Sequence, residues 1–139
     1  MNNSIQPHKS SIGDQQANIM ALLSYLVGSI LVFIPGIMYI AWLAPLIIFF
    51  LEKESRFVKF HAMQAFVLEV TGILLSLLVS LLFGGISYDS FAFVGTLATL
   101  ISITILVLAI YAMIKAYQYV EYSIPLIGKI SAALSGKVS

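Results

Sequence analysis

Charged residues are absent from a long segment near the start of the chain, between Asp14 and Glu52. Its 37 residues far exceed the roughly 20 that one helix needs to cross the hydrocarbon core of a bilayer. Proline removes a backbone donor and glycine permits a turn, so the chain is expected to reverse direction at Pro35 and Gly36. The segment therefore predicts two membrane-crossing helices joined by a tight turn.

The two helices predicted in this segment span residues 16–33 and 37–51. The second is short for a crossing and contains Pro45, so tilting of the helix or thinning of the bilayer would have to absorb the mismatch. A partly re-entrant pair, which enters and leaves the membrane on one side, is the alternative.

A second apolar segment, residues 70–114, contains one charged residue, Asp89. The residues around Asp89 are typical of a turn: Gly84, Gly85, Ser87 and Ser90. This pattern predicts two further helices, over residues 57–83 and 91–116. The expected fold is therefore all-α, with four transmembrane helices arranged as two hairpins.

The segments at the two ends are polar or amphipathic. Residues 1–16 are mostly polar and are expected to form a disordered cytoplasmic tail. Residues 17–122 would form the four-helix transmembrane domain, with Ser55 as the N-cap of its third helix. Beyond Pro125 apolar residues recur at a helical spacing, so residues 123–139 are expected to form a cytoplasmic or interfacial amphipathic tail.

The composition excludes a water-soluble domain. Charged residues make up 9% of the chain and apolar residues 60%, with a mean hydropathy of +1.03, whereas soluble domains contain about 25% charged residues. A net charge of +1 without a basic run argues against nucleic acid as a partner, and the lipid bilayer is the expected environment. The absence of cysteine excludes disulfides and thiol chemistry, and we expect no cofactor.

The positions of lysine and arginine predict the orientation in the membrane. All seven lie before the first helix, between the second and third, or from the end of the fourth onward. The turns near Pro35 and Asp89 contain none. The positive-inside rule therefore predicts a multi-pass protein of the cell membrane with both termini in the cytoplasm.

Glu69 is an acidic residue deep within a predicted helix, about 12 Å past His61 at 1.5 Å per residue. Ionisable groups at such depth usually face a bundle interior or a water-filled cavity. Two interpretations stay open: a path for ions, protons or substrates, and a packing seam in which Glu69 satisfies a neighbouring helix. Because side chains lean toward the N-terminus of their helix, we expect Tyr111 or Lys115 to hold the carboxylate.

A polar and aromatic face marks the start of the third helix. Its members follow the i, i+3, i+4, i+7 spacing: Phe57, Phe60, His61 and Gln64. Amphipathic side chains suit the inner membrane boundary, so this face is a candidate interaction surface. Its simpler role is to anchor the start of the helix by hydrogen bonds. The other histidine is His8 in the tail, which leaves too few ligands for a metal site.

Residues 51–65, LEKESRFVKFHAMQA, resemble the signature of the Tic-twenty-like family of small membrane proteins. Two later segments, IKAYQ at 114–118 and EYSIPLIG at 121–128, are similar to the ending of that family. Its members include bacterial relatives of a chloroplast inner-envelope protein-import component. The resemblance implies a four-helix fold with both ends on one side and a role in protein translocation.

The sequence contains no recognisable catalytic motif. The leading hypothesis is a non-enzymatic membrane module that resembles a translocation component. Small residues on the first and fourth helices permit close helix packing, so the module is expected to assemble as a homo-oligomer or with other membrane proteins. The alternative is a small oligomeric channel or proton-coupled transporter that uses Glu69, and an intramembrane enzyme comes third.

Overall fold

The computed structural model describes residues 3–85 and 87–138. Most of these residues belong to five helices: α1 Ala17–Leu31, α2 Leu43–Leu51, α3 Arg56–Phe83, α4 Tyr88–Tyr117 and α5 Ile127–Val138. The remaining elements are short: a 3₁₀ helix at Ile37–Tyr39 and the antiparallel strands β1 Asn3–Ser4 and β2 Val120–Glu121. The described chain is therefore almost entirely helical, as the sequence predicted.

The α3–α4 hairpin contains the two longest helices, which the sequence predicted to within three residues at each end. They have 28 and 30 residues and are about 42 and 45 Å long at 1.5 Å per residue. Both are long and apolar enough to cross a membrane. Ser55 caps α3, because its hydroxyl accepts a hydrogen bond from the backbone N–H of Val58. This confirms the predicted cap.

The α1–α2 hairpin is much shorter. Its helices have 15 and nine residues, or about 22 and 14 Å. Residues 32–42 form turns and the 3₁₀ helix instead of extending the two helices, and Gly36 adopts a φ of 86° that favours glycine. A hydrocarbon core of about 30 Å exceeds either helix. The described residues thus provide two helices of membrane-spanning length, where the sequence predicted four.

The buried core occupies one end of the molecule. We call this end the base; it includes the start of α1, the end of α2, the start of α3 and the end of α4. Core side chains come from the helices and from the segment after α4: Tyr25, Phe49, Met63, Leu68, Ala112 and Ile124. Farther from the base, α3 and α4 continue alone and expose large apolar side chains: Leu77, Leu81, Phe83, Tyr88 and Phe91.

The N-terminal segment lies against the base, whereas the sequence predicted a disordered tail over residues 1–16. We call the described part, residues 3–16, the strap. Asn3 pairs with Glu121 in the two-stranded sheet, and the N–H of Ala17 donates to the carbonyl of His8. The strap is held because its polar groups meet partners that are distant in sequence, which local composition does not reveal.

The segment after α4 also belongs to the bundle. The helix predicted within residues 123–139 forms as α5 and packs against α3. Ile124, Ile127 and Ser131 are buried, so one face of this segment is covered by protein.

Candidate functional site

A buried polar network lies in the base between α1 and α3. Nε2 of His61 is 3.1 Å from the carbonyl oxygen of Val120, and Nδ1 of His61 is 3.0 Å from the hydroxyl of Tyr25. Since a carbonyl oxygen only accepts hydrogen bonds, Nε2 donates and Nδ1 accepts from the tyrosine. The network therefore fixes His61 as one neutral tautomer.

Gln64 completes this network. Its Nε2 donates to the Tyr25 hydroxyl and to the carbonyl of Tyr122, both at 2.9 Å, and its Oε1 accepts from the N–H of Ile124 at 3.0 Å. Tyr25, His61 and Gln64 are all buried. Because their polar atoms satisfy one another and the backbone after α4, the arrangement positions that backbone against α3. This agrees with the anchoring role proposed for His61 and Gln64.

The two aromatic residues of the predicted face flank the histidine. The ring centroids of Phe57 and Phe60 lie 4.7 and 5.1 Å from that of His61, in edge-to-face geometry. Phe57 is buried and also stacks on Tyr119. The structure therefore packs Phe57 and Phe60 against the imidazole of His61, and the hydroxyl of Tyr25 links that imidazole to Gln64. Tyr25 was missed from the sequence, because a tyrosine within an apolar helix gives no signal of its partner.

A second buried polar cluster, also missed from the sequence, centres on Glu52. Oε2 accepts from the Ser10 hydroxyl, and Oε1 accepts from the N–H and hydroxyl of Ser11 and from the N–H groups of Glu54 and Ser55. Burial by itself would raise the pKa of Glu52, but the hydrogen bonds from Ser10, Ser11 and Ser55 lower the pKa to about 2. The ionised carboxylate therefore fastens the strap to the α2–α3 connection.

His8 provides a further attachment of the strap to the base. Its Nδ1 donates to the carbonyl of Gln6 at 2.9 Å, and its Nε2 forms a hydrogen bond of 2.7 Å with the hydroxyl of Ser55. Ser55 in turn caps α3. The strap thus covers the start of the longest apolar hairpin.

Glu69 lies on α3 beside a cavity of about 650 Å³ between the tip of the α1–α2 hairpin and the α3–α4 hairpin. Its carboxyl group lies against Gly28 of α1. The Oε2 atom is buried and has no hydrogen-bond partner among the described residues. Most of the cavity wall is apolar, with hydroxyl groups at Ser29, Ser76, Thr99 and Ser102 and one indole at Trp42.

Tyr111 and Lys115 are placed differently from the sequence-based expectation. Nζ of Lys115 lies 5.4 Å from the ring centroid of Tyr111, which packs edge-to-face on Tyr122 at 4.8 Å. The hydrogen bonds within residues 3–85 and 87–138 do not join either side chain to Glu69. The reason is geometric: the face of α3 that contains Glu69 meets α1 at Gly28.

Metal ligands do not cluster in the part of the chain that the structure describes. Within it, no three His, Asp or Glu side chains come close enough together to hold an ion. The buried carboxylate of Glu52 lies at the base and the half-buried Glu69 lies beside the cavity, so these two groups do not form a joint site.

Comparison with known proteins identifies a family. Residues 16–131 match the model of the MamF/MmsF family, the magnetosome magnetite crystal formation protein family. The chain belongs to this family. The match extends from the start of α1 into α5. It therefore includes the buried network of Tyr25, His61 and Gln64, which we call the base network, as well as Glu69 and the cavity.

Two relatives from Methanocaldococcus jannaschii are also similar. The UPF0132 membrane protein MJ1527 is 37% identical over 91 residues, which cover 65% of this chain and 59% of that relative. The UPF0132 membrane protein MJ1443 is 33% identical over 132 residues, which cover 91% of this chain and 94% of the relative. No solved structure matches the chain. Together with the two long apolar helices, these relatives identify it as a membrane protein.

The resemblance to the Tic-twenty-like family is wrong, because the family match and both relatives indicate a different family. Residues 51–65, on which the resemblance rested, contain His61 and Gln64 of the base network. The inference of protein translocation depended on the resemblance and is withdrawn with it.

Proposed function

We propose that this member of the MamF/MmsF family is a non-enzymatic integral membrane module that assembles with itself or with other membrane proteins. The proposal rests on the exposed apolar surface of the α3–α4 hairpin beyond the base. Leu81 is 74% exposed and Phe91 76%, and contiguous apolar surface of this kind marks a membrane or protein contact. Lipid and neighbouring membrane helices are the surroundings that suit it.

The helix lengths support a specific arrangement in the bilayer. The α3–α4 hairpin crosses it, while the α1–α2 hairpin enters from the base and returns without crossing. α1 begins at the base and is about 22 Å long, and Phe33 lies two residues beyond its end. α3 is about 42 Å long at the same rise per residue. A hydrocarbon core of about 30 Å that begins near the base therefore encloses Phe33.

The distribution of lysine and arginine indicates on which side of the membrane the base lies. Lys53, Arg56 and Lys59 cluster in and after the α2–α3 connection, and Lys115 is in the last turn of α4. The distal turn of the α3–α4 hairpin contains Asp89 at the start of α4. The positive-inside rule therefore favours a cytoplasmic base with both termini on that side.

A face of small residues on α4 is the proposed contact between copies. Gly95 is exposed, and a Cβ atom built there meets nothing within 4 Å. Thr99 and Ser102 follow at i+4 and i+7 on the same face. Small side chains let two membrane helices approach closely, so Gly95 marks the expected centre of the contact.

Cysteine crosslinking tests this assembly, because the chain has no native cysteine. Gly95→Cys is compared with Leu100→Cys, which is exposed on another face of α4, in isolated membranes under mild oxidation. We expect a crosslinked pair of chains, or a stoichiometric adduct with one other membrane protein, for Gly95→Cys only. Equal yields from both variants, or no adduct from either, would contradict a specific assembly face.

The second candidate is a small oligomeric channel or proton-coupled transporter that uses Glu69. It is favoured by one observation, the buried and unpartnered carboxyl oxygen beside the cavity. The buried network of Tyr25, His61 and Gln64 fills the base below Glu69, so a conducting path would have to form between copies. Glu69→Gln keeps the side-chain shape and removes titration. Unchanged proton flux into vesicles with this variant would eliminate the candidate.

The only link between this chain and mineral formation is the description of its family. Because the described residues do not gather three metal-ligating side chains, we propose that a contribution of this chain to crystal formation is made through assembly in the membrane. The corresponding test measures crystal formation in membranes from cells with Gly95→Phe, a variant that blocks close approach of α4.

A further inference from the structure

The cavity contains a polar group that the protein leaves without a partner. Oε2 of Glu69 is buried and unbonded among the described residues. On its α1 side the carboxyl group meets Gly28, which has no side chain to donate a hydrogen bond. A buried carboxyl oxygen without a donor is destabilising, so a molecule that supplies a donor gains from entering.

Three of the four serine and threonine hydroxyls around the cavity are engaged elsewhere. Ser29, Thr99 and Ser102 each donate to the backbone carbonyl four residues earlier in their own helix, at 2.8 to 2.9 Å. These three hydroxyls are therefore not available as donors to Glu69 in this arrangement. The fourth, Ser76, lies seven residues beyond Glu69, about 10 Å along the same helix, and no described residue donates to Oε2. The missing donor therefore has to come from outside the cavity wall.

The remainder of the wall selects for hydrocarbon. Leu68, Ile73, Ile101, Ile105 and Leu106 line the space together with Trp42. Its volume of about 650 Å³ falls within the roughly 300 to 1,000 Å³ of ordinary small-molecule sites. The exposed tip of the α1–α2 hairpin at Phe33 also lines the cavity, so an apolar molecule dissolved in the bilayer can reach it from the lipid.

We infer that this cavity binds a single-chain amphiphile with a primary-amine head group. The ammonium N–H donates to the Glu69 carboxylate, and the hydrocarbon chain lies along the apolar wall. An anionic head would be repelled by the carboxylate, and a quaternary ammonium has charge but no donor. A phospholipid with an amine head brings a phosphate close to Glu69 and two chains to a site sized for one. Thr99 and Ser102 of α4 belong both to the cavity wall and to the proposed contact face, whereas Glu69 and Trp42 belong to the cavity alone.

Trp42 provides a direct readout, because it is the single tryptophan of the chain and lies in the cavity wall. The full chain is reconstituted in phosphatidylcholine vesicles and titrated with dodecylamine brominated at the chain end, since bromine quenches tryptophan fluorescence on contact. The matched probe has a trimethylammonium head on the same chain. We expect saturable quenching by the amine, relief by unbrominated dodecylamine, and an affinity at least about tenfold lower for the trimethylammonium probe.

Two variants locate the site. Glu69→Gln is isosteric and is expected to weaken amine binding about tenfold or more, and Ser102→Phe fills the cavity and is expected to abolish saturable quenching. Competition between brominated and unbrominated dodecylamine is measured on the wild-type chain. The inference can therefore be tested even if one of the two variants does not fold. Quenching that is not saturable, is equal for both head groups, or is unchanged in folded Glu69→Gln or Ser102→Phe would overturn the inference.

Discussion

The carboxyl group of Glu69 on α3 occupies the space that a side chain at position 28 of α1 would need. The carboxyl is the far end of a flexible side chain, so a methyl group at position 28 displaces it without moving backbone. Alanine also favours a helix over glycine by about 1 kcal/mol. We therefore expect Gly28→Ala to raise the free energy of unfolding by up to about 1 kcal/mol in a Glu69→Ala background, and by less in the wild type.

Denaturation in mixed micelles of the wild type, both single variants and the double variant measures this coupling. An interaction energy above about 0.5 kcal/mol is expected for side chains in contact. Equal effects of Gly28→Ala in both backgrounds would show that Glu69 does not rest against α1.

A second prediction concerns the hydroxyl of Tyr25, which donates to His61 and accepts from Gln64. Tyr25→Phe leaves both buried partners short of one hydrogen bond and is expected to lower the free energy of unfolding by about 1–3 kcal/mol. The matched control is Tyr117→Phe, at a side chain that is 58% exposed, with an expected change within about 0.5 kcal/mol. Similar losses for the two variants would mean that the network does not stabilise the base.

The third prediction is a pH dependence of the strap. The pKa of Glu52 is lowered from 4.5 to about 2 in the folded chain, so between these values the unfolded or released state binds more protons. Stability therefore rises with pH through this window: the contribution of Glu52 is complete above about pH 4.5 and is lost as pH falls toward 2.

Hydrogen exchange at the amides of Ser11, Glu54 and Ser55 measures this effect, since all three donate to Glu52. Protection is expected to fall below about pH 4.5 in the wild type and to stay constant across the window in Glu52→Gln. Asp14→Asn serves as the control, because Asp14 forms an exposed ion pair with Lys9 and exposed pairs contribute little. Loss of protection that persists in Glu52→Gln would assign it to another group.

The sequence predicted the α3–α4 hairpin well because a long uncharged segment bounded by turn residues permits few other structures. The same reasoning overestimated the lengths of α1 and α2. The segment before Glu52 has enough residues for two crossings, yet residues 32–42 form turns and a 3₁₀ helix. The absence of charge therefore predicts an apolar segment more securely than it predicts how many residues of that segment are helical.

The candidate site was predictable only in part. His61 and Gln64 share a helical face, so periodicity found them, but Tyr25 is 36 residues from His61 and has no periodic relation to it. Glu52 and its strap donors are separated by about 40 residues and were missed for the same reason. The lean of side chains toward the N-terminus of their helix predicted a partner for Glu69 on α4. In the structure, the face of α3 that contains Glu69 is turned toward Gly28 of α1.

The proposed membrane arrangement is tested most directly by the accessibility of Phe33, which is 80% exposed at the tip of the α1–α2 hairpin. Phe33→Cys is compared with Tyr88→Cys at the far end of the α3–α4 hairpin and Glu54→Cys at the base, each as the single cysteine. A membrane-impermeant maleimide is applied to intact cells, to permeabilised cells and to detergent-solubilised protein. We expect labelling of Tyr88→Cys in intact cells, of Glu54→Cys after permeabilisation, and of Phe33→Cys only in detergent. Labelling of Phe33→Cys in intact cells as readily as Tyr88→Cys would show that the α1–α2 hairpin crosses the membrane, and would contradict the proposed arrangement.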